Sequence, residues 1–349
     1  MEFSFNTSPA IRCGKGLSSQ IGSLAGALLG QRILFVTDKG LVKLGLSEPC
    51  ITSLVSAGAD VCVFDAIEPD PSLATLNKAI EKAVDMNATG IVGFGGGSSL
   101  DVAKLVALVA GSNEELEAAW GVANAKGPRL PLVLVPTTAG TGSEVTPVSI
   151  ITVQGDEKRG VSSPIILPDM AILDAELTLG LPQHITAATG VDAMVHAIEA
   201  YTSKSSNNNP LSKMFAIEAL KLLGANIETA CLDGGNHEAR EAMLLGSMLA
   251  GMAFANSPVA AVHALAYPIG GMFHIPHGLS NALILKEVMR FNAPECATEY
   301  AELAPHVFPE LADEPSTQSR CAAFIERLGE LSGRIGLEPR LRDVDIPQD

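Results

Sequence analysis

Asp192 and His196 lie four residues apart in Gly190-Val-Asp192-Ala-Met-Val-His196-Ala-Ile-Glu-Ala200. This stretch has no proline and, past Gly190, only good or tolerable helix formers, so it is expected to be helical. The spacing sets a carboxylate and an imidazole on one face, one turn apart. Val191, Met194, Val195 and Ile198 make the rest apolar, which turns the two polar groups inward. A buried carboxylate needs a partner. A divalent metal is one such partner, although an ordinary Asp–His pair accounts for this helix by itself more simply. The balance shifts downstream. Of seven histidines in the chain, His263, His274 and His277 fall in one apolar stretch, and no Lys, Arg, Asp or Glu occurs between Val259 and Asn281. One Asp with two or three His offers O and N donors suited to Fe(II), Zn(II) or another first-row ion.

The elements that must carry these residues divide the chain. At 349 residues it exceeds what one hydrophobic core usually serves, so two domains are expected. Short apolar strands over 32–37, 59–65, 90–94 and 131–136 alternate with helical patterns over 72–86 and 100–110. Near-continuous apolar strands alternating with helices imply a parallel sheet covered on both faces. From about Leu181 a period near 3.6 dominates: 185–203, 210–231, 238–256, 259–267, 281–291 and 294–306. The expected fold is an α/β N-terminal nucleotide-binding domain over 1–180, with a Rossmann-like parallel sheet. An all-α C-terminal domain over 181–349 is expected after it, and it would carry the metal.

Ile91-Val-Gly-Phe-Gly95-Gly96-Gly97-Ser98-Ser99-Leu100-Asp101 reads as a strand running through a glycine run into a helix. Glycines let backbone approach a pyrophosphate, and the free N–H groups of a helix start favour anions. It is not the G-x-G-x-x-G fingerprint, and a flexible turn would explain the glycines alone. Pro136-Thr137-Thr138-Ala-Gly-Thr-Gly-Ser143-Glu, after the fourth strand, suits a loop wrapping a cofactor, or a capped Gly/Thr turn. Asp38 ends the first strand, where a carboxylate accepts from both ribose hydroxyls of NAD and repels the extra phosphate of NADP; a turn-capping Asp is the ordinary alternative.

Net charge of −16 argues against phosphate-backbone binding, so nucleic acid is not an expected partner. No unbroken apolar run reaches membrane-span length and the N-terminus lacks a signal pattern; a soluble cytoplasmic protein is expected. Six scattered cysteines without C-x-x-C indicate neither disulfides nor a zinc knuckle.

Asp192-x3-His196, then His263, then Ile-Pro-His277-Gly resemble the ligand set of the iron-containing (group III) alcohol dehydrogenase family. The Gly95–Ser98 run and the Pro136–Thr146 segment are similar to that family too, and the matches extend to about Asn292. The resemblance implies that the loop from Gly95 through Asp101 binds the dinucleotide pyrophosphate. It sets Thr137, Thr138 and Ser143 by the nicotinamide, with Lys158 a weaker carry-over, and makes Asp38 the NAD-selecting aspartate. It implies Asp192, His196, His263 and His277 as ligands of Fe(II), alternatively Zn(II), with Phe254 and Val259 lining the substrate channel. An alcohol held by that ion would be acidified, as water is, and would pass hydride to the nicotinamide.

There are departures. A further family histidine, four residues after the third ligand, is Tyr267 here, whereas His274 stands where many members have a non-ionisable residue. His274 with Tyr267 is therefore expected in the catalytic role of the missing imidazole, a turn-capping His274 being the alternative. Members usually continue with another helix or two, so a short member or a truncated sequence is expected. The reaction implied is NAD-linked oxidation of a primary alcohol or diol, or reduction of the aldehyde, by a homodimer or larger homo-oligomer. A polyol enzyme resembling glycerol dehydrogenase, a dehydroquinate-synthase-like lyase and a catalytically silent nucleotide- or metal-binding protein are the alternatives.

Overall fold

The computed structural model describes residues 2–153, 157–338, 340–344 and 346; most of the closing Asp-Ile-Pro-Gln-Asp lies outside the described residues. The chain forms two compact units. One comprises Asn6–Thr138 and Ser143–Leu177, the other Met1–Phe5, Ala139–Gly142 and Thr178–Asp349.

The first unit contains β1 (Ala10–Cys13), α1 (Ile21–Leu29), β2 (Arg32–Val36), α2 (Lys39–Lys43), α3 (Glu48–Ser56), β3 (Asp60–Phe64) and α4 (Leu73–Asp85). After these come β4 (Gly90–Gly95), α5 (Gly97–Ser112), α6 (Leu116–Ala119), β5 (Gly121–Val122), β6 (Leu132–Pro136), β7 (Val148–Thr152), β8 (Lys158–Ser162) and β9 (Met170–Leu173). A six-stranded sheet runs β1-β9-β6-β4-β2-β3 with every pair parallel. A smaller sheet, β5-β8-β7, is mixed.

Alternation along β2 explains why its apolar run is unbroken. Ile33 and Phe35 join a core with Ile21, Leu29 and Leu54 of α1 and α3. Leu34 and Val36 join the opposite core with Leu76, Ala79 and Leu100 of α4 and α5. Both faces are buried from Ile33 to Val36, so none of these four positions is polar. The edge strand β1 and its neighbour β9 escape sequence reading because each has four residues, and β1 is half exposed.

The second unit is helical: α7 (Gln183–Thr202), α8 (Pro210–Leu232), α9 (His237–Asn256), α10 (Ala261–Phe273), α11 (His277–Val307) and α12 (Thr317–Arg334). The chain caps them locally. Asn209 accepts from Ser212 N ahead of Pro210, Asn236 accepts from Ala239 N, and Ser316 forms a reciprocal box with Ser319. α7 is buried nearly all round and packs on α8, α9 and α11, which makes it the central helix.

Two expected boundaries move. The helices anticipated over 281–291 and 294–306 are one helix running through Pro294, and α10 continues through Pro268 to Phe273. Both prolines are exposed. The carbonyls that lose their partners belong to Arg290 and Ala264, both exposed residues, where a free carbonyl costs little and neither helix breaks. No single described helix is long and apolar enough to cross a membrane.

Candidate metal centre and nucleotide loop

In the helical unit, α7 contributes Asp192 and His196, α10 contributes His263, and His277 opens α11 directly after Pro276. Asp192 and His263 are each 2% exposed. Ligand atoms of Asp192, His196 and His263 all lie within 4.8 Å of one another. From Asp192 Oδ1 the Nε2 atoms of His263 and His277 are each 3.6 Å away, and that of His196 is 3.9 Å away. His277 is the most open of the four, with 36% of its side chain exposed.

The opposite ring nitrogens explain this orientation. His263 Nδ1 lies 2.7 Å from Glu199 Oε2, and His196 Nδ1 lies 3.3 Å from the Gly140 carbonyl. An acceptor at Nδ1 places the proton there and leaves the Nε2 lone pair aimed at the cluster, the arrangement in which metal-ligating histidines are held. His196 is stacked between Phe254, at 4.3 Å between ring centroids, and His263, at 4.6 Å. Tyr267 stacks on His277 at 5.6 Å. Asn281 donates to Asp192 Oδ1 at 2.6 Å, its Nδ2 also 3.4 Å and 3.3 Å from Nε2 of His263 and His277; its Oδ1 is buried without a hydrogen-bond partner.

Charge balance within the cluster is uneven. Burial favours neutral Asp192, but the neighbouring imidazoles of His196, His277 and His263 outweigh it and hold the carboxyl well below its usual range. Burial pushes His196 down to about 4, against the attraction of Asp192. For His263 burial also disfavours charge, yet its donation to the Asp192 and Glu199 carboxylates, with their negative charge, pushes it up to about 9. One carboxylate with three imidazole nitrogens and a buried, unpartnered amide oxygen fits a first-row divalent ion.

In the α/β unit, β4 ends at Gly95, whose φ of +149° disfavours any side chain; a Cβ there would also lie 2.6 Å from Ser99 Oγ. Gly96 caps α5, so the N–H groups of Gly97, Ser98 and Ser99 form its first turn, which has no intrahelical acceptors. Thr137 N donates to the Gly95 carbonyl at 3.0 Å, which ties the two loops together, and Thr138 flanks Gly96. Asp101 and Ser143 are spent internally. Ser143 Oγ donates to Asp101 Oδ1 at 2.6 Å, and Ile150 N to Asp101 Oδ2 at 2.8 Å. Lys104, 0% exposed, donates to Ser143 Oγ at 2.8 Å, to the Val148 carbonyl at 2.7 Å and to Thr146 Oγ1 at 3.3 Å. Asp38 accepts from Leu41 N at 3.0 Å and caps α2. Lys158 pairs with Asp70.

Residues 8–175 match the family described as iron-containing alcohol dehydrogenase, and residues 186–349 match the Fe-containing alcohol dehydrogenase family, C-terminal. The chain belongs to the iron-containing alcohol dehydrogenase family. It is 38% identical over 346 residues to long-chain-alcohol dehydrogenase 1 of Geobacillus thermodenitrificans, covering 97% of this chain and 86% of the relative. It is 38% identical over 341 residues to 1,3-propanediol dehydrogenase of Citrobacter freundii, covering 96% and 87%. Among solved structures, a 1,3-propanediol oxidoreductase superposes with a TM-score of 0.95 at 34% identity, covering 99% of this chain and 90% of that one.

Within this iron-containing alcohol dehydrogenase, the structure gathers Asp192, His196, His263 and His277 with Phe254 and Tyr267 against them. It does not gather every expected residue. His274 is exposed in the left-handed conformation at φ +54° and closes α10 as its C-cap, the turn role. Val259, half-buried, precedes the segment that leads into α10. Sequence reasoning missed Glu199, Asn281 and Lys104. Glu199 lies three residues after His196 and Asn281 four after His277, spacings that place each on its ligand's helix face.

Proposed function

We propose that the chain is a metal-dependent, NAD-linked dehydrogenase of primary alcohols or diols, working also as an aldehyde reductase. The observation that carries this reading is the convergence of one carboxylate and three imidazoles, with two rings fixed through Nδ1 by Glu199 and Gly140. Fe(II), or alternatively Zn(II), held by Asp192, His196, His263 and His277 supplies Lewis acidity toward an alcohol or carbonyl oxygen.

The chain's own residues do the rest. Asp192, the one anionic donor, leaves the set net positive with a divalent ion, so a developing negative oxygen is favoured there. The N–H groups of Gly97 to Ser99 bind the pyrophosphate, and Thr137 and Thr138 hold the loop beside it. Asp38 selects NAD over NADP. Asp101 and Ser143 set the loop's shape from inside the unit. Support for NAD comes from relatives: an NAD-dependent methanol dehydrogenase of Bacillus methanolicus is 36% identical over 323 residues. A Bifidobacterium kashiwanohense sulfoacetaldehyde reductase, solved with NAD+, superposes with a TM-score of 0.87.

The test is anaerobic chelation and rescue. NADH formation from a panel of short alcohols and diols is followed before EDTA, after it, and after adding Fe(II) or Zn(II). Loss with chelator and return with Fe(II) supports the reading, and undiminished oxidation without metal refutes it. Failure on every alcohol in every metal state would favour the lyase or silent alternatives.

A further inference from the structure

We propose that Glu199 is a positioning residue of the metal centre that builds His263 into it, by fixing both the start of α10 and the proton on the His263 ring. This rests on the metal-centre reading above. Glu199 is 4% exposed, and among the described residues no Lys or Arg pairs with it. Three N–H groups do. Its Oε2 accepts from Ala260 N at 2.8 Å and His263 Nδ1 at 2.7 Å, and its Oε1 accepts from Val262 N at 2.6 Å.

The two backbone donors belong to the first turn of α10 and its N-cap, Ala260, which has no side chain able to cap it. α10 therefore lacks a local cap and takes one from α7. The same carboxylate grips the residue after Val262, the ligand His263. Asp192, His196 and Glu199 all stand on α7, so one buried helix sets two donors directly and a third through Glu199. His277 alone is set from elsewhere, by the start of α11.

Glutamine separates these roles from mere bulk. Glu199→Gln has one acceptor and one donor where the site presents N–H donors on both sides. Either orientation sets an N–H against Val262 N–H on one side, or against Ala260 N–H and the His263 ring on the other. The ring then rotates, or moves its proton to Nε2, the atom that must ligate. Loss of such a partner weakens metal binding by about 10–100-fold.

The experiment uses the full chain, stripped of metal, titrated with Co(II) and Zn(II) against a chromophoric chelator. The visible Co(II) spectrum reports the donor set, and NAD binding serves as control. Expected are metal affinity lower by about 10–100-fold and a changed Co(II) band in Glu199→Gln, with unchanged NAD affinity, and partial recovery in Glu199→Asp. A Gln variant with wild-type affinity and an unchanged band overturns the proposal, even with a lowered melting temperature, because Glu199 would then be only a helix cap. Should the Gln variant not fold, Glu199→Asp decides: about tenfold weaker binding by a folded chain supports the proposal, and wild-type affinity overturns it. If the wild-type chain binds neither metal, the metal reading itself falls, a result distinct from either.

Discussion

Replacing Lys104 with methionine tests whether the buried charges of the α/β unit hold its cofactor loops in place. Lys104 Nζ lies 3.8 Å from Asp101 Oδ1, with 0% of the lysine side chain and 17% of the aspartate side chain exposed. At an effective dielectric near 20 that separation corresponds to a gross attraction of about 4 kcal/mol. Burial already pushes Asp101 upward, against the pull of Lys104, and pushes Lys104 down to about 8. Methionine fills much of the same volume but leaves Asp101 with only Ser143 and Ile150, and removes the donor to the Val148 carbonyl. Breaking a buried pair from one side costs about 3–5 kcal/mol, and that is the loss expected for Lys104→Met. Adding Asp101→Asn removes the stranded charge, so the double variant should recover about half of it or more. The one tryptophan, Trp120, lies in this unit, so its fluorescence during urea unfolding follows this unit rather than the helical one. A loss under about 1 kcal/mol, or a double variant no more stable than Lys104→Met, would refute the reasoning.

Three further outcomes are expected. Burial raises Glu144 from its ordinary 4.5 to about 7, and its Oε1 has no hydrogen-bond partner. The folded state therefore keeps a proton that the unfolded state gives up, and wild type should lose stability relative to Glu144→Gln as pH rises from 4.5 to about 7, then level off; a urea-midpoint difference independent of pH would refute this. His274→Ala should leave turnover and its pH profile unchanged, and His274→Gly should be no less stable than wild type, since glycine relieves the left-handed strain. A fall of about 100-fold in turnover, the size of an acid–base contribution, would instead put His274 in the reaction. In Gly278→Ala the new Cβ would lie 2.4 Å from the Ala188 carbonyl oxygen of α7. α11 must then shift at its first turn, carrying His277 with it, so the variant should lose about 1–3 kcal/mol of stability and bind metal more weakly; unchanged Zn(II) affinity would count against His277 as a ligand.

The parallel sheet was legible because burial on both faces leaves its central strands free of polar residues wherever they are buried, from Ile33 to Val36 of β2 and throughout β4. β1 and β9 were not, being too short to carry a pattern. The four-residue spacing of Asp192 and His196 was readable from helix geometry alone. What brings His263 and His277 beside them is tertiary: α10 and α11 must start at particular places, and a local pattern does not say where. Glu199 and Asn281 stayed hidden for a related reason. A Glu or Asn at helical spacing reads as a solvated face until a neighbouring helix covers it, and a buried lysine such as Lys104 runs against every local expectation. The merged helix α11 shows the converse, since it runs through Pro294, whose freed carbonyl belongs to an exposed residue, Arg290.

The two units treat buried charge in opposite ways, and that difference decides what each can bind. In the α/β unit the charged atoms face one another: Lys104 holds Ser143, Thr146 and the Val148 carbonyl, while Asp101 holds Ser143 and Ile150 N. That network leaves the backbone N–H groups at the start of α5 as the donors an anion would meet there. In the helical unit the outer atoms of the imidazoles are spent instead. Glu199 and Gly140 take Nδ1 of His263 and His196, so Nε2 of each converges on Asp192. Lone pairs gathered around one carboxylate repel one another unless a proton or a cation joins them, and without a metal His263 supplies the proton. A divalent ion competes for that place with a larger charge. Metal binding should therefore expel a proton and strengthen as pH rises, with proton release on Zn(II) addition to unbuffered, metal-free protein as the measurement. Binding without proton release at pH 7 would mean that His263 is already neutral, and that Glu199 and Asp192 balance their charges in some other way.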